Sequence, residues 1–155
     1  MSRPHARRHR PERLGSDPTS WPRRQTASGL LVRGARILLE RRPANARVTP
    51  GVWDTPGGHL RRGERPEAAL RRELFEELGV GVERFRLAAV QDVRERFSHV
   101  LYRHFIYVID AWRGSPRAKA NQTLGWFTLK AALRLGDLNP PIADVLLELS
   151  RRKLA

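Results

Sequence analysis

The sequence predicts a single α/β domain, a mixed β-sheet with helices packed around it. Three observations carry this expectation. A chain of 155 residues, 40% of them hydrophobic, is long enough to bury one real core and leaves little for a second domain. Short apolar runs bounded by turn residues are interspersed with amphipathic stretches rich in Ala, Leu, Glu and Arg. Phe105 to Ile109 is continuously apolar, the pattern of a strand covered on both faces.

The elements follow in order. Residues 1–25 hold seven arginines against Glu12 and Asp17, with four prolines interspersed, and read as a disordered basic arm of net charge +5. The folded domain is expected over residues 26–155. Ala27 to Val32 and Ile37 to Leu39 are mostly apolar runs joined by a turn at Arg33-Gly34, which predicts a hairpin. Arg42 to Gly58 carries three prolines and three glycines and is expected to be largely loop. Pro66 to Leu78 predicts a helix, with Pro66 suited to its first turn and Gly79 to its stop. Strands are expected over Phe85–Val93 and Val100–Trp112, then a polar loop over Arg113–Gly125. A short strand at Trp126–Leu129 runs into a small helix near Lys130–Leu135. A last helix at Pro141–Lys153 carries the stripe Ile142, Val145, Leu146 and Leu149. Read together, the order is ββ(β)αββ(β)αα.

Composition excludes several classes. No apolar run reaches the length of a membrane span, so no membrane partner is expected. The N-terminal MSRPHARRHR lacks the apolar stretch of a signal peptide. Cysteine is absent, which removes disulfides, thiolate metal sites and a Cys nucleophile, and fits a cytoplasmic location. The formal charge of +14 would by itself suggest a nucleic-acid partner. Only three of the 30 basic residues are lysines, however, an arginine skew that a GC-rich coding sequence also produces. The charge therefore points first to a polyanionic small molecule, and to RNA second.

The predicted long helix carries the chemistry. At 100° per residue, Glu73, Glu76 and Glu77 share one arc beside the apolar ridge Leu70, Leu74 and Leu78. Three carboxylates thus sit at the edge of the buried stripe. At roughly 5.5 Å and an effective dielectric near 20, each like-charge pair repels by about 3 kcal/mol. A hard cation relieves such repulsion, since Mg²⁺ and Mn²⁺ prefer carboxylate oxygens. A fully solvated acidic face would relieve it too, so the surroundings must decide.

They do. Gly58-His59-Leu60-Arg61-Arg62-Gly63-Glu64 is followed, after seven residues, by Arg72-Glu73-Leu74-Phe75-Glu76-Glu77-Leu78-Gly79-Val80. This resembles the Nudix box, G-x5-E-x7-R-E-U-x-E-E-x-G-U with U apolar, at every fixed position. A chance match is on the order of 10⁻⁷ for such a chain. Trp53-Asp54-Thr55-Pro56-Gly57-Gly58 also resembles the segment leading into that box, and the likeness to MutT-like members runs from about Thr26 onward.

The resemblance implies an α/β/α sandwich that hydrolyses a diphosphate linkage using divalent cations, Mg²⁺ with Mn²⁺ as substitute. It implies metal ligation by Glu73, Glu76, Glu77 and the Gly58 carbonyl, and a structural pair between Glu64 and Arg72. The loop where such relatives often place a further glutamate, residues 113–125, has no acidic residue here. The general base is therefore open: Glu73 serves, or Glu76 or Glu77 orients the water. Arg41, Arg42 and His59 are candidate substrate contacts. Ala143 stands nearest the position where MutT-like proteins use an asparagine on oxidised guanine, which argues against strict specificity for that base. The expected substrate is a nucleoside triphosphate or related nucleoside diphosphate derivative, cleaved to release a nucleoside monophosphate. ADP-ribose or a nucleotide sugar is the alternative, and a nucleotide- or nucleic-acid-binding regulator on the same fold is the alternative of another class. Oligomeric state is not legible.

Overall fold

The structure is a computed structural model that describes residues 17–46 and 49–152. Its strands are β1 (Arg23–Arg33), β2 (Arg36–Arg41), β3 (Trp53–Asp54), β4 (Gly57–His59), β5 (Gly81–Glu95), β6 (Val100–Arg113) and β7 (Thr123–Thr128). Its helices are α1 (Pro66–Leu78), α2 (Leu129–Leu133) and α3 (Pro140–Arg151), with a short 3-10 turn at Pro18–Ser20.

The sheet is mixed, as expected, in the order β3-β2-β1-β6-β5. β1 runs parallel to β6, while the β5–β6 and β1–β2 pairs are antiparallel. β4 lies on the first half of β1, and β7 on the outer strand β2. β1 therefore changes neighbour along its length, from β4 at Thr26–Ser28 to β2 at Val32–Arg33. The divergence opens a cleft between β4 and β2.

Two apolar layers cover the sheet. On one face α1 buries Ala69, Leu70, Leu74 and Leu78 against Ala27, Leu31, Tyr107 and Ile109. On the other, α3 buries Ile142, Val145, Leu146 and Leu149 against Leu30, Ile106 and Val108. Alternate residues of β1 and β6 thus serve opposite layers, which is why β6 reads as an unbroken apolar run. The result is an α/β/α sandwich. Gly29 sets how closely α1 approaches: a Cβ there would stand 2.4 Å from Ile109 Cδ1 and 3.2 Å from Leu70 and Leu74.

The predicted α1 is found at its predicted bounds, with Gly79 in the left-handed conformation at φ 72°. Two departures matter. Arg42–Gly58 is not all loop, for it contains β3 and β4. Trp53 and Asp54 pair with Arg41 and Glu40, and Gly57–His59 with β1. The strand starting at Arg23 also takes three residues from the expected arm, pairing Arg23–Gln25 with Leu101–Arg103. Residues 17–22 of the expected disordered arm are also ordered, with the Pro18–Ser20 turn capped by Asp17 and Trp21 stacked on His99, while residues 1–16 lie outside the described residues. No helix among the described residues is long and apolar enough to cross a membrane.

Candidate active site

The segment entering α1 is positioned from both ends. β4 pairs Gly58 with Ala27 and His59 with Thr26. The Glu64 carboxylate then accepts from Arg72 Nε at 2.9 Å and Nη2 at 2.8 Å, and from the Arg61 amide at 2.9 Å. This fork-on-fork pair holds Glu64 down to about 2, with the Arg72 hydrogen bond as main cause. Arg72 Nη2 also donates to the His59 carbonyl at 3.0 Å, tying loop to helix. The expected Glu64–Arg72 contact is present.

The three box glutamates of α1 have different surroundings. Glu73 is 15% exposed and accepts from Arg72 Nη1 at 2.7 Å. Its carboxylate lies directly over Gly58, where a Cβ would meet Glu73 Oε2 at 2.5 Å. A side chain at this position would displace the Glu73 carboxylate. Glu77 is half-buried, and its Oε2 accepts from the Gly57 amide at 3.1 Å. Burial, reinforced by the charge of Glu73, raises Glu77 to about 7. Glu76, at 46% exposure, turns toward Arg72 at 3.4 Å and Arg61 at 3.7 Å.

Glu73, Glu77, Gly57, Gly58 and His59 line one cavity of about 510 Å³, together with Arg42. Arg41 lies elsewhere. It forms an ion pair with Asp137 at 2.9 Å, donates to the Gly51 carbonyl at 3.1 Å, and covers the Trp53 ring. Those contacts clasp two loops together, and Arg41 is not among the residues that line the cavity.

The opposite wall supplies residues that sequence reasoning missed. Glu40, at the end of β2, is 5% exposed. Burial first, then the charges of Glu77 and Asp54, push it up to about 8. Gln122, from the acid-free loop, donates its amide to Glu40 Oε2. Asp54 accepts from the Thr55 amide at 2.7 Å and from Asn139 Nδ2 at 2.9 Å, and burial raises it as well. Asn139 is placed by its own amide on the Trp53 carbonyl at 2.9 Å. A visible clue existed: Glu40 ends the apolar run Ile37-Leu38-Leu39, where the alternation of a strand calls for a covered side chain.

Five carboxylates, Glu40, Asp54, Glu73, Glu77 and Glu95, thus line one cavity. Their mutual repulsion and all-oxygen chemistry fit a hard divalent cation. Among the described residues no three acidic or histidine side chains converge at metal-holding geometry. Glu76 is the outlier, held on Arg72 and Arg61. The remaining wall is mixed, with Tyr102, Ile106 and Ile142 beside His104 and Gln91. Such a pairing of apolar surface with a few fixed polar groups suits a nucleotide-sized ligand.

The chain is 30% identical over 115 residues to an 8-oxo-dGTP diphosphatase of Escherichia coli, covering 74% of this chain and 86% of that protein. It is 29% identical over 127 residues to the CTP pyrophosphohydrolase of the same organism, covering 81% and 92%. The crystal structure of a MutT NUDIX hydrolase from Burkholderia pseudomallei superimposes with a TM-score of 0.74 at 30% identity, over 82% of this chain and 98% of that one. The family model of the NUDIX domain matches residues 22–149, and the chain belongs to that family.

Proposed function

We propose that this protein is a Mg²⁺-dependent pyrophosphohydrolase that cleaves a diphosphate linkage in a nucleoside triphosphate or related nucleoside diphosphate derivative, releasing a nucleoside monophosphate. The observation that carries the reading is the packing of Glu73 and Glu77 on Gly57–Gly58 at the wall of a nucleotide-sized cavity. The names of the relatives support it, since they act on nucleotide diphosphate linkages.

Glu73, Glu77 and the Gly58 carbonyl are the groups that would hold the cation. Glu76, 46% exposed and paired with Arg72, would have to leave that guanidinium to join them. A bound divalent ion would neutralise the diphosphate oxygens and make the attacking water more acidic. The chain's own work is positioning. Arg72 fixes Glu73 through its 2.7 Å contact while Glu64 anchors the other side of the guanidinium. The Gly57 amide holds Glu77. Arg42 and His59, both on the cavity wall, orient phosphate oxygens. The water proton would pass to a box carboxylate, Glu73, Glu76 or Glu77. The cysteine-free chain is consistent with a cytoplasmic site of action.

The test is a hydrolysis screen with Mg²⁺ or Mn²⁺ against nucleoside triphosphates, oxidised nucleotides, ADP-ribose, nucleotide sugars and 5′-triphosphorylated RNA. Release of a monophosphate from a triphosphate is the expected result. Exclusive cleavage of ADP-ribose or nucleotide sugars would reassign the substrate, and no cleavage of any of them would reject the enzyme.

A further inference from the structure

The loop between β6 and β7, residues 114–122, carries no acid and is anchored at both ends beside the carboxylates. At its start the Arg117 amide donates to the Leu78 carbonyl at 3.1 Å, one residue beyond Glu77 on α1. At its end the Gln122 side chain donates to Glu40 Oε2, while its Oε1 accepts from the Lys119 amide at 3.3 Å. The Gln122 backbone N–H donates in turn to the Lys119 carbonyl at 3.1 Å. β7 follows at once and pairs Leu124 with Glu40. Lys119 to Gln122 is therefore a closed turn with Glu40 as its foot. The loop arches from beside Glu77 to Glu40 along one rim of the carboxylate-lined cavity.

Lys119 rides on that arch. It is exposed, and no ion pair among the described residues holds its ammonium. Its charge reaches the site, being among those that pull Glu77 down against burial and the repulsion of Glu73. An ammonium on a four-carbon stem is a mobile point charge suited to a phosphate oxygen. The topology says which phosphate. Tyr102, His104 and Gln91 come from β6 and β5, on one side of β1, whereas the loop hangs on β2 and β7, on the other. β4, with Gly57 and Gly58, lies on β1 between them. A nucleoside seated among Tyr102, His104 and Ile106 therefore runs its phosphates past Gly57–Gly58 and Glu77 toward Lys119. The phosphate nearest Lys119 is then the one farthest from the nucleoside. In a triphosphate that group is free and carries more negative charge than either phosphate of a diphosphate capped by a sugar.

We propose that Lys119 is a specificity-determining residue that pairs its ammonium with the terminal phosphate of a nucleoside triphosphate, and that Gln122, footed on Glu40, positions it there. The inference rests on the hydrolase reading above and deepens it, since it makes triphosphates better substrates than ADP-ribose or nucleotide sugars. It also gives the lack of acid in this loop a reason: a carboxylate on that rim would repel the same phosphate.

The experiment measures kcat and KM with Mg²⁺ for the triphosphate cleaved best in the hydrolysis screen and for ADP-ribose. An inhibition constant replaces KM for a compound that is not cleaved. The proteins are the full chain, Lys119→Ala, Lys119→Arg, Gln122→Leu and, as a control, Lys130→Ala on α2. Lys119→Ala should raise KM for the triphosphate about tenfold, the worth of one charge-assisted contact, and that for ADP-ribose by a smaller factor. Lys119→Arg should recover most of the loss. Gln122→Leu should show the same selectivity as Lys119→Ala, and the control should match the wild type. An equal factor on both compounds would mean that Lys119 only sets the charge on Glu77. That result, or no effect on either compound, would overturn the proposal. Calorimetric titration of inorganic pyrophosphate with Mg²⁺ needs no turnover and separates this failure from failure of the hydrolase reading. The wild type should bind pyrophosphate about tenfold more tightly than Lys119→Ala. Equal affinities, or no binding by the wild type, would reject the contact even if hydrolysis were never observed.

Discussion

Replacing Glu40 by glutamine should change how stability depends on pH, by an amount the structure sets. Glu40 is 5% exposed, and burial followed by the charges of Glu77 and Asp54 raises its carboxyl from 4.5 to about 8. Between these values the folded protein keeps a proton that the unfolded chain gives up. Stability therefore falls as pH rises through this window, at most by about 1.4 kcal/mol per pH unit from this one group. Over the whole window the loss approaches about 5 kcal/mol. Glutamine retains an acceptor for the Gln122 amide but does not titrate. Three other groups also act, Asp54 and Glu77 in the same direction, Glu77 up to about 7, and His104, lowered by burial, in the opposite direction below its ordinary 6.5. All three are present in either protein, so the difference between the two reports Glu40 together with its repulsion of Glu77 and Asp54. Urea unfolding in EDTA at pH 5, 6, 7 and 8 measures it. The variant should gain little at pH 5 and several kcal/mol by pH 8. Parallel curves across that range would refute the assignment of a buried, protonated Glu40.

Three further outcomes are expected. Gly58→Ala places a Cβ 2.5 Å from Glu73 Oε2 and should reduce hydrolysis at least tenfold with a native circular dichroism spectrum; wild-type turnover would show that the contact is not needed. Gly29→Ala drives a methyl group into Ile109, 2.4 Å away, and should cost about 1–3 kcal/mol in denaturant unfolding, as overpacking does. Removal of residues 1–16 should leave ATP hydrolysis unchanged, whereas cutting at residue 25 takes Arg23–Gln25 from β1 and should destabilise the fold. Equal thermal midpoints for the two truncations would contradict that boundary.

The parts of the molecule that sequence made legible are those where local chemistry and tertiary packing agree. Pro66 and Gly79 bound α1, and Leu70, Leu74 and Leu78 give it one buried ridge. β6 reads as apolar because helices cover both of its faces. The Glu64–Arg72 pair and the juxtaposition of Glu73 with Gly58 follow from a single contiguous motif. What escaped is nonlocal. β3 and β4 are two and three residues long, too short for a periodicity, and form only because β2 and β1 offer them edges. Glu40, Asp54, Gln122 and Asn139 come from four separate segments, and no spacing in the chain announces their meeting. Arg41 and Arg42 are adjacent in sequence yet divide between a loop clasp and the cavity wall, because neighbouring residues at the end of a strand point to opposite sides.

The central claim is that the box carboxylates on α1 work with a divalent cation to cleave a nucleotide's diphosphate linkage. The most direct measurement is monophosphate release from a nucleoside triphosphate by the wild type, Glu76→Gln and Glu77→Gln, with Mg²⁺ and with EDTA. The wild type should turn over only with the metal, and each variant should fall by a factor of about 10²–10³ or more at saturating Mg²⁺. Undiminished hydrolysis in both variants, or equal rates in EDTA, would contradict the account.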